Sequence, residues 1–93
     1  MQIETIREAV CACMRDYPVT RAVLFGSRAA GTNRENSDVD LILEFSAPVT
    51  LLTISAIRCR LEEVLGLDVD IVHGPVRKSD LIEVGKAVEL YAA

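Results

Sequence analysis

In the amino-terminal segment, the apolar residues are spaced as in an amphipathic helix. From Glu4 to about Asp16, apolar side chains recur three or four positions apart, which places them on one face of a helix. These positions are Ile3, Ile6, Val10, Cys13 and Met14. Tyr17 and Pro18 end the pattern, because proline lacks the backbone N–H that a continuing helix would donate. The sequence therefore predicts an opening helix.

Two strands separated by a polar connection are predicted next. Arg21 to Phe25 is a β-branched and aliphatic run that ends abruptly at Gly26, which is typical of a strand meeting a tight corner. From Ser27 to Ser37 the residues are small and polar, with room for one helical turn at the beginning. Asp38 to Phe45 begins with strict polar and apolar alternation and passes into continuous apolar residues. That pattern indicates a buried strand whose first end reaches solvent.

The second half of the chain predicts a helix, a strand and a last helix. Thr50 begins an amphipathic helix that Gly66 ends as a C-cap. Leu67 to Val72 alternates again and predicts a third strand. Ser79 is a candidate cap for the last helix. The apolar positions of that last helix are Leu81, Val84, Val88 and Tyr91.

This order of elements predicts a small α/β or α+β domain in two layers, a three-stranded sheet flanked by helices. The second and third strands are joined through a helix and should be parallel. The first and second are joined by only 12 residues, 26–37, which is at the lower limit for a parallel crossover, so a mixed sheet is preferred. With 93 residues we expect one domain over 1–93.

Composition narrows the classes of function. The net charge is −4, and long nucleic acid is held mainly by lysine and arginine, so binding of such a polymer is disfavoured. The longest uncharged run, Phe45 to Ile57, is too short to cross a bilayer, so we expect no membrane role. A core this small would gain from a second copy, so a homodimer is an expectation.

The cysteines indicate a cytoplasmic protein. Cys11, Cys13 and Cys59 cannot all pair within one chain, and they lack the regular framework of secreted domains. Cys11 and Cys13 stand two apart on a predicted helix and so point in different directions, which argues against a shared zinc ion.

Three carboxylates form the first candidate site. Asp38 and Asp40 are two apart on a strand, so their side chains face the same side and would repel each other unless protonated or bound to a cation. Asp70 lies on the third strand, which we expect to neighbour the second. Carboxylate oxygens are the ligands that Mg²⁺ prefers, and such ions keep positions for phosphate oxygens. The sequence therefore predicts a magnesium site that a nucleoside triphosphate would complete.

A phosphate cradle is the second candidate. Gly26 and Ser27 stand where the first strand turns, and glycine lets the backbone N–H groups approach an anion. Arg28 follows them and is either a phosphate contact or a solvated loop residue. Each signal alone has an ordinary explanation, a turn or a solvated strand end. The combination of Gly-Ser, ten residues and Asp-x-Asp would arise by chance in roughly one such chain in a thousand.

Together these motifs resemble the signature of the minimal nucleotidyltransferases of the DNA polymerase beta superfamily. The matching segments are Gly-Ser-Arg-Ala-Ala-Gly at 26–31 and Ser-Asp-Val-Asp-Leu at 37–41, and the likeness covers nearly the whole chain. The resemblance implies a polymerase beta-like fold, two Mg²⁺ ions held by Asp38 and Asp40, and Asp70 as the third carboxylate. Gly26 and Ser27 would hold the β- and γ-phosphates. Ala30 stands where many members carry arginine, so one phosphate contact is missing.

The resemblance also implies a partner. Stand-alone proteins of this kind are often the antitoxin of a toxin–antitoxin pair and transfer AMP from ATP to a tyrosine hydroxyl of a helical HEPN toxin. An alternative is a nucleotide-binding or catalytically silent module that neutralises its partner by covering it. Transfer to a small molecule such as an aminoglycoside usually needs an added substrate domain, which we do not expect in a single domain over 1–93.

Overall fold

The computed structural model describes residues 2–31, 38–74 and 87–92, and these residues fold as a mixed sheet covered by helices. In chain order the elements are α1 (Ile3–Met14), β1 (Val19–Phe25), α2 (Gly26–Ala30), β2 (Val39–Phe45), α3 (Leu51–Leu65), β3 (Val69–His73) and β4 (Val88–Ala92). The four strands of this described part lie side by side in the order β3-β2-β1-β4. Strand β1 is antiparallel to both β2 and β4, while β2 and β3 are parallel. The predicted mixed sheet and the parallel pair joined by a helix are therefore confirmed.

One face of the sheet and the two long helices share the apolar core. Ile6, Val10, Cys13, Met14, Ile57, Leu61 and Leu65 are buried from the helices, and Ala22, Leu24, Val39, Leu41, Leu43 and Val69 from the strands. Burial of one leucine such as Leu41 stabilises the fold by about 1.5–3 kcal/mol. In each strand, the side chains of alternate residues pack against the helices, and those of the residues between them point to the opposite face of the sheet.

Helix α3 begins and ends where its sequence predicts. The Thr50 hydroxyl accepts a hydrogen bond from the Thr53 backbone N–H at 3.3 Å, which satisfies one donor of the first turn. Gly66 ends the helix with φ +68°, a left-handed conformation that glycine adopts without a Cβ penalty. Within the described ranges no helix is long and apolar enough to span a bilayer.

The end of the chain differs from the prediction. Val88 and Tyr91 belong to β4, not to a helix, and Ser79, Leu81 and Val84 lie outside the described residues. The described sheet therefore has four strands where three were predicted. Five residues with apolar side chains three apart fit a helix and a short strand equally well by pattern alone. The segment forms a strand because its pairing with β1 provides hydrogen-bond partners for the backbone groups at that edge of β1.

Candidate active site

The turn from β1 into α2 lies directly against the first end of β2. The antiparallel register pairs Phe25 with Asp40, so the next residue, Gly26, is at the same edge of the sheet. Gly26 has φ +76°, and a Cβ added to it would lie 2.5 Å from Oδ2 of Asp40. The backbone of the glycine turn and the carboxylate of Asp40 are therefore in contact, with no space for a side chain between them.

Asp40 and Asp70 stand side by side on neighbouring strands. The parallel register pairs Asp40 with Asp70 and Val39 with Val69. Both valines are buried under the helices, so the two aspartates belong to the opposite face of the sheet. Asp40 is half-buried, whereas Asp38 and Asp70 are exposed. The predicted placement of the acids on one face of adjacent strands is thus present for Asp40 and Asp70.

The electrostatics of Asp40 reflect its neighbours. Burial raises the pKa of the Asp40 carboxyl, and the charges of Asp70 and then Asp38 raise it further. The charges of Asp70 and Asp38 thus oppose ionisation of Asp40, and a bound cation would compensate them.

The carboxylate chemistry fits magnesium, which takes hard oxygen ligands. The in-register pair Asp40 and Asp70 and the repulsion at Asp40 support a cation at this edge. As the side chains stand, however, no group of three or more His, Cys, Asp or Glu residues in the described part of the chain is arranged to hold a metal ion. That Asp38, Asp40 and Asp70 ligate a metal together stays a prediction.

The residues after Gly26 belong to the short helix α2. Arg28 is only 3% exposed, so it is not a solvated loop residue, and the alternative of an exposed arginine is wrong. Ser27 has helical backbone. The predicted phosphate contacts of Gly26, Ser27 and Arg28 stay predictions, supported for Gly26 by its closeness to Asp40.

Sequence reasoning missed Glu62. Its Oε2 accepts a hydrogen bond from the Val69 backbone N–H at 3.0 Å, one residue before Asp70. In the sequence this glutamate is one of several charged residues on an amphipathic helix, and its only distinguishing signal is its position one turn before the C-cap Gly66.

The mixed sheet with its helices is the fold of the nucleotidyltransferases, and comparison with known proteins shows the same class. The chain belongs to the nucleotidyltransferase domain family, whose sequence model matches residues 3–89. It is 35% identical over 81 residues to protein adenylyltransferase MntA of Thermococcus cleftensis, a match that covers 86% of this chain and 82% of that protein.

Two solved structures share the fold. A minimal nucleotidyltransferase, 35% identical, superposes with a TM-score of 0.73 over 95% of each chain. A second structure, of a tri-AMPylated Shewanella oneidensis HEPN toxin in complex with an MNT antitoxin, matches with a TM-score of 0.70 and 18% identity. That match covers all of this chain and 74% of the other, and at this identity it shows the fold alone.

Proposed function

We propose that this nucleotidyltransferase is a magnesium-dependent protein adenylyltransferase that transfers AMP from ATP to a tyrosine hydroxyl of a HEPN toxin, and so acts as its antitoxin. The observation that carries the proposal is the contact of the Gly26 turn with Asp40, beside Asp70 in register. It puts a candidate phosphate cradle and candidate metal ligands at one edge of the sheet. The name of the Thermococcus relative and the AMPylated toxin in the Shewanella complex support the choice of AMP and of a protein acceptor.

The chemistry is the attack of the acceptor oxygen on the α-phosphorus of ATP. A P–O bond forms to the hydroxyl oxygen, the bond between the α-phosphorus and the bridging oxygen breaks, and pyrophosphate leaves. Asp38, Asp40 and Asp70 would hold the divalent ions, and Asp70 would also accept the proton of the acceptor hydroxyl. The backbone N–H groups of Gly26 and Ser27 bind the β- and γ-phosphates.

The divalent ions, when bound, supply Lewis-acid catalysis that lowers the pKa of the attacking hydroxyl and neutralises charge on the leaving oxygens. The protein therefore contributes position and charge rather than a covalent intermediate. Loss of one carboxylate should remove most of the rate while the fold persists, since Asp38 and Asp70 are exposed and Asp40 is only half-buried.

The proposal is tested by transfer of radiolabel. The chain is incubated with Mg²⁺, a candidate HEPN toxin encoded by a neighbouring gene, and ATP labelled in either the α- or the γ-phosphate. Label from the α-phosphate should remain on the partner and be lost in its Tyr→Phe variants, whereas γ-label should leave as pyrophosphate. Asp70→Asn should abolish transfer, while Glu63→Gln, which removes the charge of an exposed residue of α3, should not.

Absence of label on the partner would contradict the proposed transfer. Neutralisation of the partner that survives Asp38→Ala combined with Asp40→Ala would instead favour a module that acts by covering it.

A further inference from the structure

We propose that Glu62 is a positioning residue, which holds the first residue of β3 so that Asp70 faces the metal site. This inference rests on the proposed function, because it concerns how one of the proposed ligands is held. Glu62 itself lies on α3 and contacts β3 through the backbone N–H of Val69.

Strand β3 is at the edge of the described sheet, and its hydrogen bonds to β2 fix which of its groups face inward. Val39 N–H donates to the Asp68 carbonyl at 2.9 Å, and Gly74 N–H donates to the Leu43 carbonyl. In a parallel pair of strands, these bonds mean that the backbone N–H and C=O groups of the even-numbered residues of β3 face β2. The N–H of Val69 therefore points to the open side, where β2 cannot accept it.

Glu62 provides the missing acceptor. Its Oε2 accepts from Val69 N–H at 3.0 Å, and such a bond to a charged group is stronger than one between neutral groups. The other carboxylate oxygen lies 3.9 Å from Nε of Arg58, one helix turn earlier. The Glu62 carbonyl accepts from the N–H of Gly66, which ends the helix. Glu62 is thus anchored at the end of α3 and binds the beginning of β3.

The consequence concerns Asp70 alone among the three acids. Asp38 and Asp40 belong to the segment that leads into and forms β2, which has a neighbouring strand on each side. Among the described strands, that of Asp70 has one neighbour, and Asp70 comes directly after the residue that Glu62 holds. Without Glu62, the first residue of β3 loses its outer bond, and the Asp70 carboxylate loses its fixed distance from Asp40.

Four variants separate this role from a general effect on folding. Glu62→Ala and Glu62→Met remove the acceptor, and methionine keeps the length of the side chain. Glu62→Gln keeps an acceptor oxygen without the charge. Glu63→Ala removes the neighbouring exposed carboxylate and is the matched control. Each protein is titrated with Mn²⁺ by calorimetry, and hydrogen exchange of the Val69 amide is measured by NMR.

We expect Glu62→Ala and Glu62→Met to weaken Mn²⁺ binding about tenfold, as for residues that orient metal ligands, and to speed exchange of the Val69 amide. Glu63→Ala should stay close to wild type in both measurements, and Glu62→Gln, whose neutral oxygen makes a weaker bond, should lie between wild type and the first two. In the transfer assay kcat should fall for the first two while KM for ATP is unchanged.

The inference is overturned if Glu62→Ala and Glu62→Met bind Mn²⁺ like wild type, if Glu62→Gln binds as weakly as they do, or if Glu63→Ala weakens binding equally. A wild-type chain that binds no Mn²⁺ also overturns it. A wild type that binds Mn²⁺ but transfers no label contradicts only the proposed function, because the binding comparison does not need turnover.

Discussion

At the scale of single residues, the candidate site depends on a contact between two positions far apart in sequence. Gly26 is in a left-handed conformation, and the Asp40 carboxylate occupies the place where its Cβ would be. Any other residue at position 26 has two costs, backbone strain and a clash. These costs can be separated, because Gly31 has the same φ of +76° with nothing within 4 Å of its added Cβ.

Gly26→Ala should therefore be more harmful than Gly31→Ala. The backbone term alone is about 1–2 kcal/mol, and we expect Gly31→Ala to lose stability of that order while transfer activity persists. Gly26→Ala should lose more and abolish transfer, because the methyl group displaces the Asp40 carboxylate. Urea unfolding and the labelled-ATP assay measure the two effects. If both variants lost the same free energy of unfolding and the same transfer activity, the contact with Asp40 would contribute nothing to either.

At the scale of elements, β4 completes the sheet on the side of β1. Leu90 is 4% exposed and belongs to the core. Arg21 of β1 donates through Nε to Oε1 of Glu89 at 2.8 Å, and the Cys11 thiol of α1 donates to the Leu90 carbonyl. The carboxyl-terminal strand is thus packed by its side chains as well as paired through its backbone.

Replacement of Leu90 by alanine should destabilise the protein by about 2–5 kcal/mol, as for other buried leucines. Val64→Ala is the control, because Val64 is 66% exposed on α3 and its truncation should change the free energy of unfolding by less than about 0.5 kcal/mol. Thermal unfolding of the two variants, monitored by circular dichroism, measures the difference. A Leu90→Ala protein as stable as wild type would contradict the packing of β4.

At the scale of the whole molecule, the acids influence how stability depends on pH. The pKa of Asp40 is raised in the folded state, chiefly by burial and then by Asp70 and Asp38. The folded protein therefore holds its proton at pH values where the unfolded chain has released it. Stability then falls as pH rises from the ordinary aspartate pKa through the raised one.

Asp40→Asn should remove this dependence. In the absence of divalent ions, we expect the variant to be more stable than wild type near neutral pH, because the repulsion by Asp38 and Asp70 is gone. Below the ordinary pKa of aspartate the difference should vanish, since Asp40 is then protonated in both folded and unfolded wild type. Unfolding midpoints between pH 3 and 8 with a chelator present test this. A variant less stable than wild type near pH 7 would contradict the proposed repulsion.

Much of the fold was predictable because its signals are local. Thr50 and Gly66 mark the ends of α3, and alternation from Asp38 onwards marks β2. Strand β4 was not predictable, because Val88 and Tyr91 fit either period and the deciding factor is the unpaired edge of a distant strand.

Some residues of the candidate site were likewise predictable from the sequence, and others were not. Asp38, Asp40 and Asp70 were proposed from the spacing of carboxylates on strands, and Gly26 from its place where the first strand turns. Glu62 could not be found, since its role depends on the open side of β3 and on which backbone groups face it. The burial of Arg28 depends on tertiary packing, which a polar local sequence does not reveal.

Because the backbone of Gly26 contacts the side chain of Asp40, the residues tolerated at these two positions depend on each other. The space between the backbones at positions 26 and 40 holds one side chain, and in this sequence the Asp40 carboxylate fills it. A library randomised at both codons and selected only for a folded product would return many combinations in which at least one partner is small. Selection for the proposed transfer activity should instead return glycine at position 26 together with aspartate at position 40.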